Sequence, residues 1–405
     1  MKRPLVLHVI PAVAPRYGGP SAAVIGMCRA LQSLGAQTLI ATTDADGPTR
    51  LDVSLERATL HQGVPCIFFP KQASESFKWS PRLAAWLSRR VGDFDLVHVH
   101  AVFSHAVLAA GRASRRHDVP YLVRPLGTLD PWSVGRHAYR KRMLLALGLH
   151  RVLCHASAMH YTTTEERQLA ESQLPNLPHG DVVPLGIDDG WFQLEDGPRQ
   201  NTFVCLSRIE SKKGVDLAID AFHRIAADPQ LAGWRLIIAG QGEPEYVRQL
   251  EARAADGDGR GRIEFTGWLE GESRANLLQR GGVFVLPSQQ ENFGIALAEA
   301  MAAGMPAIVT PGVNLAAEIR HHDAGWVVER SVDAVAAAMR GAAADAARLD
   351  RGRRARQLAS RFQWPAVAAG LDAMYRRVID RHASRSTVAA AAPSPRAAIA
   401  RSRRG

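Results

Sequence analysis

Val283-Phe-Val-Leu286, then Pro287-Ser-Gln-Gln-Glu291-Asn-Phe-Gly294-Ile-Ala-Leu-Ala-Glu299-Ala-Met-Ala-Ala-Gly304, reads as a strand, a loop and a helix in immediate succession. Four apolar, mostly β-branched or aromatic residues make a buried strand. The Ala, Leu and Met run from Phe293 to Ala303 makes a helix, with Gly304 placed to stop it. Glu291 precedes that helix and Glu299 is expected two turns into it, roughly 12 Å of rise away. A helix N-terminus offers unpaired N–H groups and the positive end of a dipole to an anion, while two separated carboxylates can accept from hydroxyls. A sugar joined to a nucleotide has that shape. Taken alone, two glutamates at this spacing read as solvated surface charges, and it is the surrounding sequence that argues otherwise.

A second strand, Thr202 to Leu206, runs into Ser-Arg208-Ile-Glu-Ser-Lys-Lys213-Gly-Val-Asp216, with a helix beginning near Gly214. Ligands of parallel sheets collect beyond the carboxyl ends of strands, so Arg208 and Lys213 are placed to face a diphosphate in the crevice that the Glu291 loop borders. The apolar run Leu236 to Ala239 leads to Gly240-Gln-Gly242, whose glycines permit close approach of backbone to a ligand.

These segments, with Phe265-Thr-Gly-Trp268 and Glu-Ala-Met-Ala-x-Gly-Met-Pro, keep the order and spacing of the family-four retaining glycosyltransferases, which the chain resembles strongly from about Asn201 to Val328. Gly18-Gly19-Pro20 and Asp95-Leu-Val-His-Val-His100 extend the likeness more loosely into the first half, and Trp364 to Tyr375 resembles the closing helix. The resemblance implies an α/β GT-B fold: two Rossmann-like doubly wound domains facing a cleft. It implies that Gly18 and Gly19 face the donor diphosphate, that His100 lies near the transferred sugar, and that Arg124 sits in a loop bordering the acceptor site. Arg208, Lys213, Glu291 and His100 are then the catalytic set. Gly18, Gly19, Arg124, Gly240, Gly242, Trp268, Asn292, Phe293, Gly294 and Glu299 contact substrates, with Glu291 on sugar hydroxyls, Glu299 on the ribose and backbone near Trp268 on the base. The implied reaction is retaining transfer of a hexose from a nucleoside diphosphate sugar to a glycan or polyprenyl-linked saccharide, in exopolysaccharide, capsule or lipopolysaccharide synthesis.

The 405 residues, 46% of them hydrophobic, suffice for two α/β domains with separate cores. Strand and helix alternate from Leu5 to His100 and resume after the Gly- and Asp-rich interval Gly186 to Pro198. The expected division is an acceptor domain at 1–188, a nucleotide-sugar domain at 189–360, a closing helix at 361–382 and a basic disordered tail at 383–405. The apolar N-terminus is broken by His8 and Pro11 and reads as a strand rather than a signal peptide. No stretch approaches the roughly 18 apolar residues of a membrane span. Four scattered cysteines suit reduced thiols, so a cytoplasmic protein is expected.

The net charge of +11 lies partly in the tail, which suits no specific nucleic acid. Arg136 to Arg151 sets cations ahead of an apolar stripe, which suits either an anionic membrane surface on the inner face of the cell membrane or a domain helix whose apolar face enters the core. His98 and His100 share one strand face, a metal-pair spacing without an evident third ligand. Asp44-Ala-Asp46, Asp93-Phe-Asp95 and Asp256-Gly-Asp258 are better read as turn and strand-end residues than as metal holders. No metal or other cofactor is expected.

Competing classes leave different marks. A nicotinamide oxidoreductase would carry Gly-x-Gly-x-x-Gly after its first strand, where this chain has Pro11-Ala-Val-Ala-Pro-Arg-Tyr-Gly-Gly-Pro20. A noncatalytic sugar-nucleotide scaffold would have lost the charged set. A sugar-nucleotide epimerase of the same fold would need no acceptor.

Overall fold

The computed structural model describes residues 3–135, 138–194 and 197–391, with side chains to residue 385. Two sheets organise it. The N-terminal sheet has eight strands in the order Gly180–Val182, Ala158–Tyr161, Tyr121–Arg124, Leu96–His100, Leu5–Ala12, Gln37–Thr43, Val64–Phe69 and Ala58–His61. All pairings are parallel except the last, where Ala58–His61 runs antiparallel beside Val64–Phe69. The C-terminal sheet is six parallel strands: Ile263–Gly267, Arg235–Ala239, Thr202–Leu206, Val283–Leu286, Ala307–Val309 and Gly325–Val327. The central strands are largely buried because helices cover both faces of each sheet, as parallel sheets require.

Connectivity reverses beside the first strand of each half. Leu5–Ala12 lies between Gln37–Thr43 and Leu96–His100, and Thr202–Leu206 lies between Arg235–Ala239 and Val283–Leu286. At such a point the loops after the two adjacent strands diverge, which leaves a crevice at their carboxyl ends. Each half of the chain thus builds one crevice.

The last helix, Trp364–Ala391, returns to the N-terminal half, where Val367, Leu371, Met374, Tyr375 and Val378 join Met27, Leu31 and Leu122 in one core. The expected helix ends at 382; the sequence beyond it, in which four of nine residues are Ala, sustains helix to Ala391. The rest of the expected tail, 392–405, lies outside the described residues. All four cysteines are free thiols. Among the described residues, no helix is long and apolar enough to cross a membrane.

Candidate functional site

In the C-terminal half the loops after Thr202–Leu206 and Val283–Leu286 meet. The first contains a short 3-10 turn, Ser211–Lys213, ending at Gly214, whose left-handed conformation starts the helix Val215–Ala226. That turn sends consecutive lysines in different directions. Lys213 points inward, is buried, and donates to the Glu291 carboxylate. Lys212 lies 5.0 Å from the Trp132 ring of the N-terminal half. Burial and the neighbouring Lys213 lower the pKa of Lys212. The Glu291 backbone is pinned on both sides, its N–H donating to Gly312 and its carbonyl accepting from Asn314.

Several residues expected here have a different setting. The helix starts at Ile295, capped by left-handed Gly294, so Glu299 is one turn into it and not two. Glu299 is buried and ion-paired with Arg274 of the helix Gly271–Arg280. Burial pushes its carboxyl up to about 7, against the opposing pull of Arg274. Arg274 carries no signal in the sequence: it is one of two arginines on a polar helix. Phe293 is a core residue, edge-on to Phe362 with ring centroids 5.0 Å apart, so only its backbone can meet a ligand.

The glycines of the third loop serve a neighbouring loop. A Cβ on Gly240 would lie 1.8 Å from the Ser207 carbonyl oxygen, and one on Gly242 2.1 Å from that of Ile209. The close approach seen here is to the Arg208 loop. Arg208 itself is half exposed and pairs with Glu210 at 2.7 Å. Trp268 is exposed, its indole N–H donating to Glu270 at 2.6 Å.

In the N-terminal half, Gly18 and Gly19 begin the helix Gly19–Ser33 after the first strand, and a Cβ on Gly19 would come within 2.8 Å of the Ile295 side chain. Gly19 thus abuts the first turn of the Glu299 helix. Arg124 departs from expectation: it is the last residue of the strand Tyr121–Arg124, fully buried, and not part of a loop. It pairs in register with His100, and none of its three guanidinium nitrogens has a hydrogen-bond partner.

His100 belongs to a buried group that the sequence discloses only in part. His160 Nε2 lies 2.9 Å from the Val183 carbonyl, which can only accept, so that nitrogen carries the proton. His160 Nδ1 then accepts from His98 Nε2 at 3.1 Å, and His98 Nδ1 accepts from the Tyr375 hydroxyl at 2.7 Å. A second pair, His8 Nδ1 with His100 Nε2, spans 3.1 Å and leaves His100 Nδ1 without a partner. Burial, the Arg124 charge and mutual repulsion hold all four imidazoles well below their usual range, His8 and His160 at about 3. His8 supplies the third imidazole that the spacing of His98 and His100 lacks, all three within 4.8 Å. A cation fits this set poorly, because both His98 nitrogens are hydrogen-bonded and Arg124 already places a positive charge beside it. The aspartates of the first two Asp-x-Asp strings are held locally: Asp44 accepts from Lys71 N–H, Asp46 pairs with Arg16, Asp93 with Arg90, and Asp95 accepts from Leu5 N–H.

The two crevices face one another. Asn292 donates to Thr162 at 3.1 Å and Gln290 to Asp130 at 2.9 Å, joining the Glu291 loop to the N-terminal half. Glu166 braces that contact by accepting from the backbone of Gly127 and Thr162 at 2.7 Å each. A cavity of about 530 Å³ lies beside these contacts, between Trp132 and the loops carrying Arg208, Lys212 and Gln241. Another of about 390 Å³ sits at the opposite, amino end of the N-terminal sheet, by Leu5 and Trp86.

Two doubly wound domains whose crevices face, one with a cation and carboxylates at a helix N-terminus, define a GT-B glycosyltransferase. Residues 192–358 match the family described as Glycosyl transferases group 1, and residues 18–186 match the Glycosyl transferase 4-like domain. The glycogen synthase of Mycobacterium tuberculosis is 30% identical over 299 residues, covering 69% of this chain and 68% of that protein. GDP-mannose:cellobiosyl-diphosphopolyprenol alpha-mannosyltransferase of Xanthomonas campestris is 26% identical over 326 residues, covering 77% and 81%. Anabaena Alr3699/HepE, solved in complex with UDP and glucose, shares the fold with a TM-score of 0.70 over 93% of this chain and all of its own, at 18% identity. The chain belongs to the group 1 glycosyltransferases, of the family-four type.

Proposed function

We propose that this glycosyltransferase moves a hexose with retention from a nucleoside diphosphate sugar to a hydroxyl of a saccharide or lipid-linked saccharide, in the synthesis of an exopolysaccharide, capsule or lipopolysaccharide. The observation that carries the reading is the Lys213–Glu291 pair, set beside the Gly294 helix start and opposite Gly18 and Gly19. An arriving diphosphate takes Lys213 and Arg208 as counter-charges. Glu291 is then released to accept from sugar hydroxyls, and Glu299 to accept from the ribose. His100 offers its unpartnered Nδ1 to the transferred sugar. With these cations and the helix N-terminus stabilising the departing diphosphate, no metal is required. Mannosyl transfer to a diphosphopolyprenol-linked saccharide by the Xanthomonas relative supports the acceptor class.

The test is thermal stabilisation by UDP, GDP, ADP and their sugar conjugates, followed by transfer assays with the selected donor in excess EDTA. One nucleotide series should stabilise the protein, and turnover should survive chelation. Sugar conversion without acceptor would favour an epimerase, and no stabilisation by any nucleotide a noncatalytic scaffold.

A peripheral position on an anionic membrane surface belongs to the same proposal. Its support is an outward stripe, Tyr139, Met143 and Leu147, flanked by exposed Arg140, Arg142 and Arg151, while Leu149 turns into the core. Of the expected basic cluster, Arg136 and His137 lie outside the described residues. Cosedimentation with anionic vesicles in low salt is expected, and its absence removes the membrane position.

A further inference from the structure

The consecutive lysines divide the 3-10 turn into two faces. Lys213 belongs to the donor face with Glu291, whereas Lys212 faces the 530 Å³ cavity, whose walls include Trp132, Glu210, Gln241, Glu243 and Tyr246. That volume falls within the roughly 300–1,000 Å³ of small-molecule sites. Its composition is unlike that of a diphosphate site. Glu210 pairs with Arg208 at 2.7 Å and approaches Lys212 at 3.9 Å, so both cations on the rim already have a carboxylate. What remains is an indole, a phenol, an amide and carboxylates, the set that suits a neutral polyol with an apolar CH face and a rim of hydroxyls.

We propose that this cavity is the acceptor subsite and holds a pyranose of a saccharide acceptor against the Trp132 indole. The inference rests on the proposed transferase reading and adds the location and chemistry of its second substrate. Position supports it. Retention on one face requires the acceptor hydroxyl to approach beside the departing diphosphate: the anomeric C–O bond breaks with its electron pair going to the diphosphate, the acceptor oxygen bonds to the same carbon, and its proton passes to a diphosphate oxygen. Arg208, which lines the cavity, is also a cation proposed for the departing diphosphate, so the cavity adjoins that group. Trp132 comes from the N-terminal domain and the remaining wall from the C-terminal one, so the subsite is complete only when the domains meet. The Lys212 ammonium, now 5.0 Å from the indole, is the group a pyranose displaces.

The experiment is saturation-transfer NMR with cellobiose, maltose and mannobiose, with UDP or GDP present, on the wild type, Trp132→Ala and Trp132→Phe, alongside the nucleotide thermal shift of each. At least one disaccharide should take up saturation from the wild type. That signal should fall at least fivefold in Trp132→Ala and return in part in Trp132→Phe, with the nucleotide shift unchanged in both. Equal disaccharide signals in wild type and Trp132→Ala, or none in a wild type that a nucleotide stabilises, overturn the subsite. Loss of the nucleotide shift in Trp132→Ala assigns the cavity to the donor and also overturns it. A wild type that no nucleotide stabilises counts against the transferase reading instead.

Discussion

Lys213 donates to the Glu291 carboxylate across 78 residues of sequence, tying together the loops that follow the two central strands of the C-terminal sheet. Both side chains are largely withdrawn from water, at 7% and 17% exposure. Lys213→Ala therefore acts twice. Transfer should slow by roughly 10²-fold or more as the diphosphate loses a desolvated cation. The melting temperature should also fall, because truncating one partner of a buried pair leaves the other uncompensated at a cost of about 3–5 kcal/mol. Lys213→Ala combined with Glu291→Gln should recover much of the melting temperature and none of the activity. Rates and thermal melts of the two single variants and the double variant separate these effects.

The buried histidines make acid a specific denaturant. His8 and His160 titrate near 3 in the folded chain, and His98 and His100 well below their usual range, whereas an unfolded chain takes up these protons near 6.5. The unfolded state thus binds more protons between those limits. The stabilisation is complete above about pH 6.5 and is lost as pH falls toward 3, at about 1.4 kcal/mol per pH unit for each such histidine. The groups facing the cluster are Arg124, which opposes protonation, and neutral Tyr375. Denaturant titrations from pH 7 to 5 should show a steep loss, and His160→Gln should lessen the slope.

Elements with strong periodicity were legible before the coordinates. The strands Thr202–Leu206 and Val283–Leu286 lie where their apolar runs place them, and the run Leu236 to Ala239 falls within the strand Arg235–Ala239. What escaped depends on partners far away in sequence. Nothing local distinguishes Arg274 from other surface arginines or ties Gln290 to Asp130; each pairing exists only once two helices or two domains are packed. The resemblance puts Arg124 in a loop, whereas the strand Tyr121–Arg124 runs through to the arginine itself. Phe293 misled in a similar way, since a motif residue beside Glu291 can be there to fill the core against Phe362. In the sequence His8 reads only as a break in an apolar run; its register opposite His98 makes it part of the cluster.

Glu299 should impose a pH dependence on donor binding. Burial raises its carboxyl to about 7, so the free protein holds it substantially protonated at neutral pH, whereas ribose hydroxyls are best accepted by the ionised form. Donor affinity should therefore strengthen as pH rises from 6 to 8, and Glu299→Gln should bind more weakly with no such limb. Calorimetry with a sugar-linked diphosphate measures this cleanly, because the sugar blocks the terminal phosphate that otherwise titrates near ~6. Arg274→Ala should move the limb to higher pH, because it removes the cation that favours the ionised carboxyl.

Tyr375 should separate stability from chemistry. Its hydroxyl is the only donor assigned to His98 Nδ1, and the ring joins the core under the closing helix. Tyr375→Phe keeps the ring's packing and leaves that nitrogen buried without a donor, which costs about 1–3 kcal/mol. Because His98 Nε2 still donates to His160 and the His8–His100 hydrogen bond does not involve the tyrosine, His100 keeps its orientation. Unfolding should shift by that amount while the nucleotide thermal shift and the transfer rate stay within about twofold of wild type. A large loss of turnover in a well-folded Tyr375→Phe would instead make the closing helix part of the positioning of His100, with the tyrosine acting through His98 on the neighbouring imidazole.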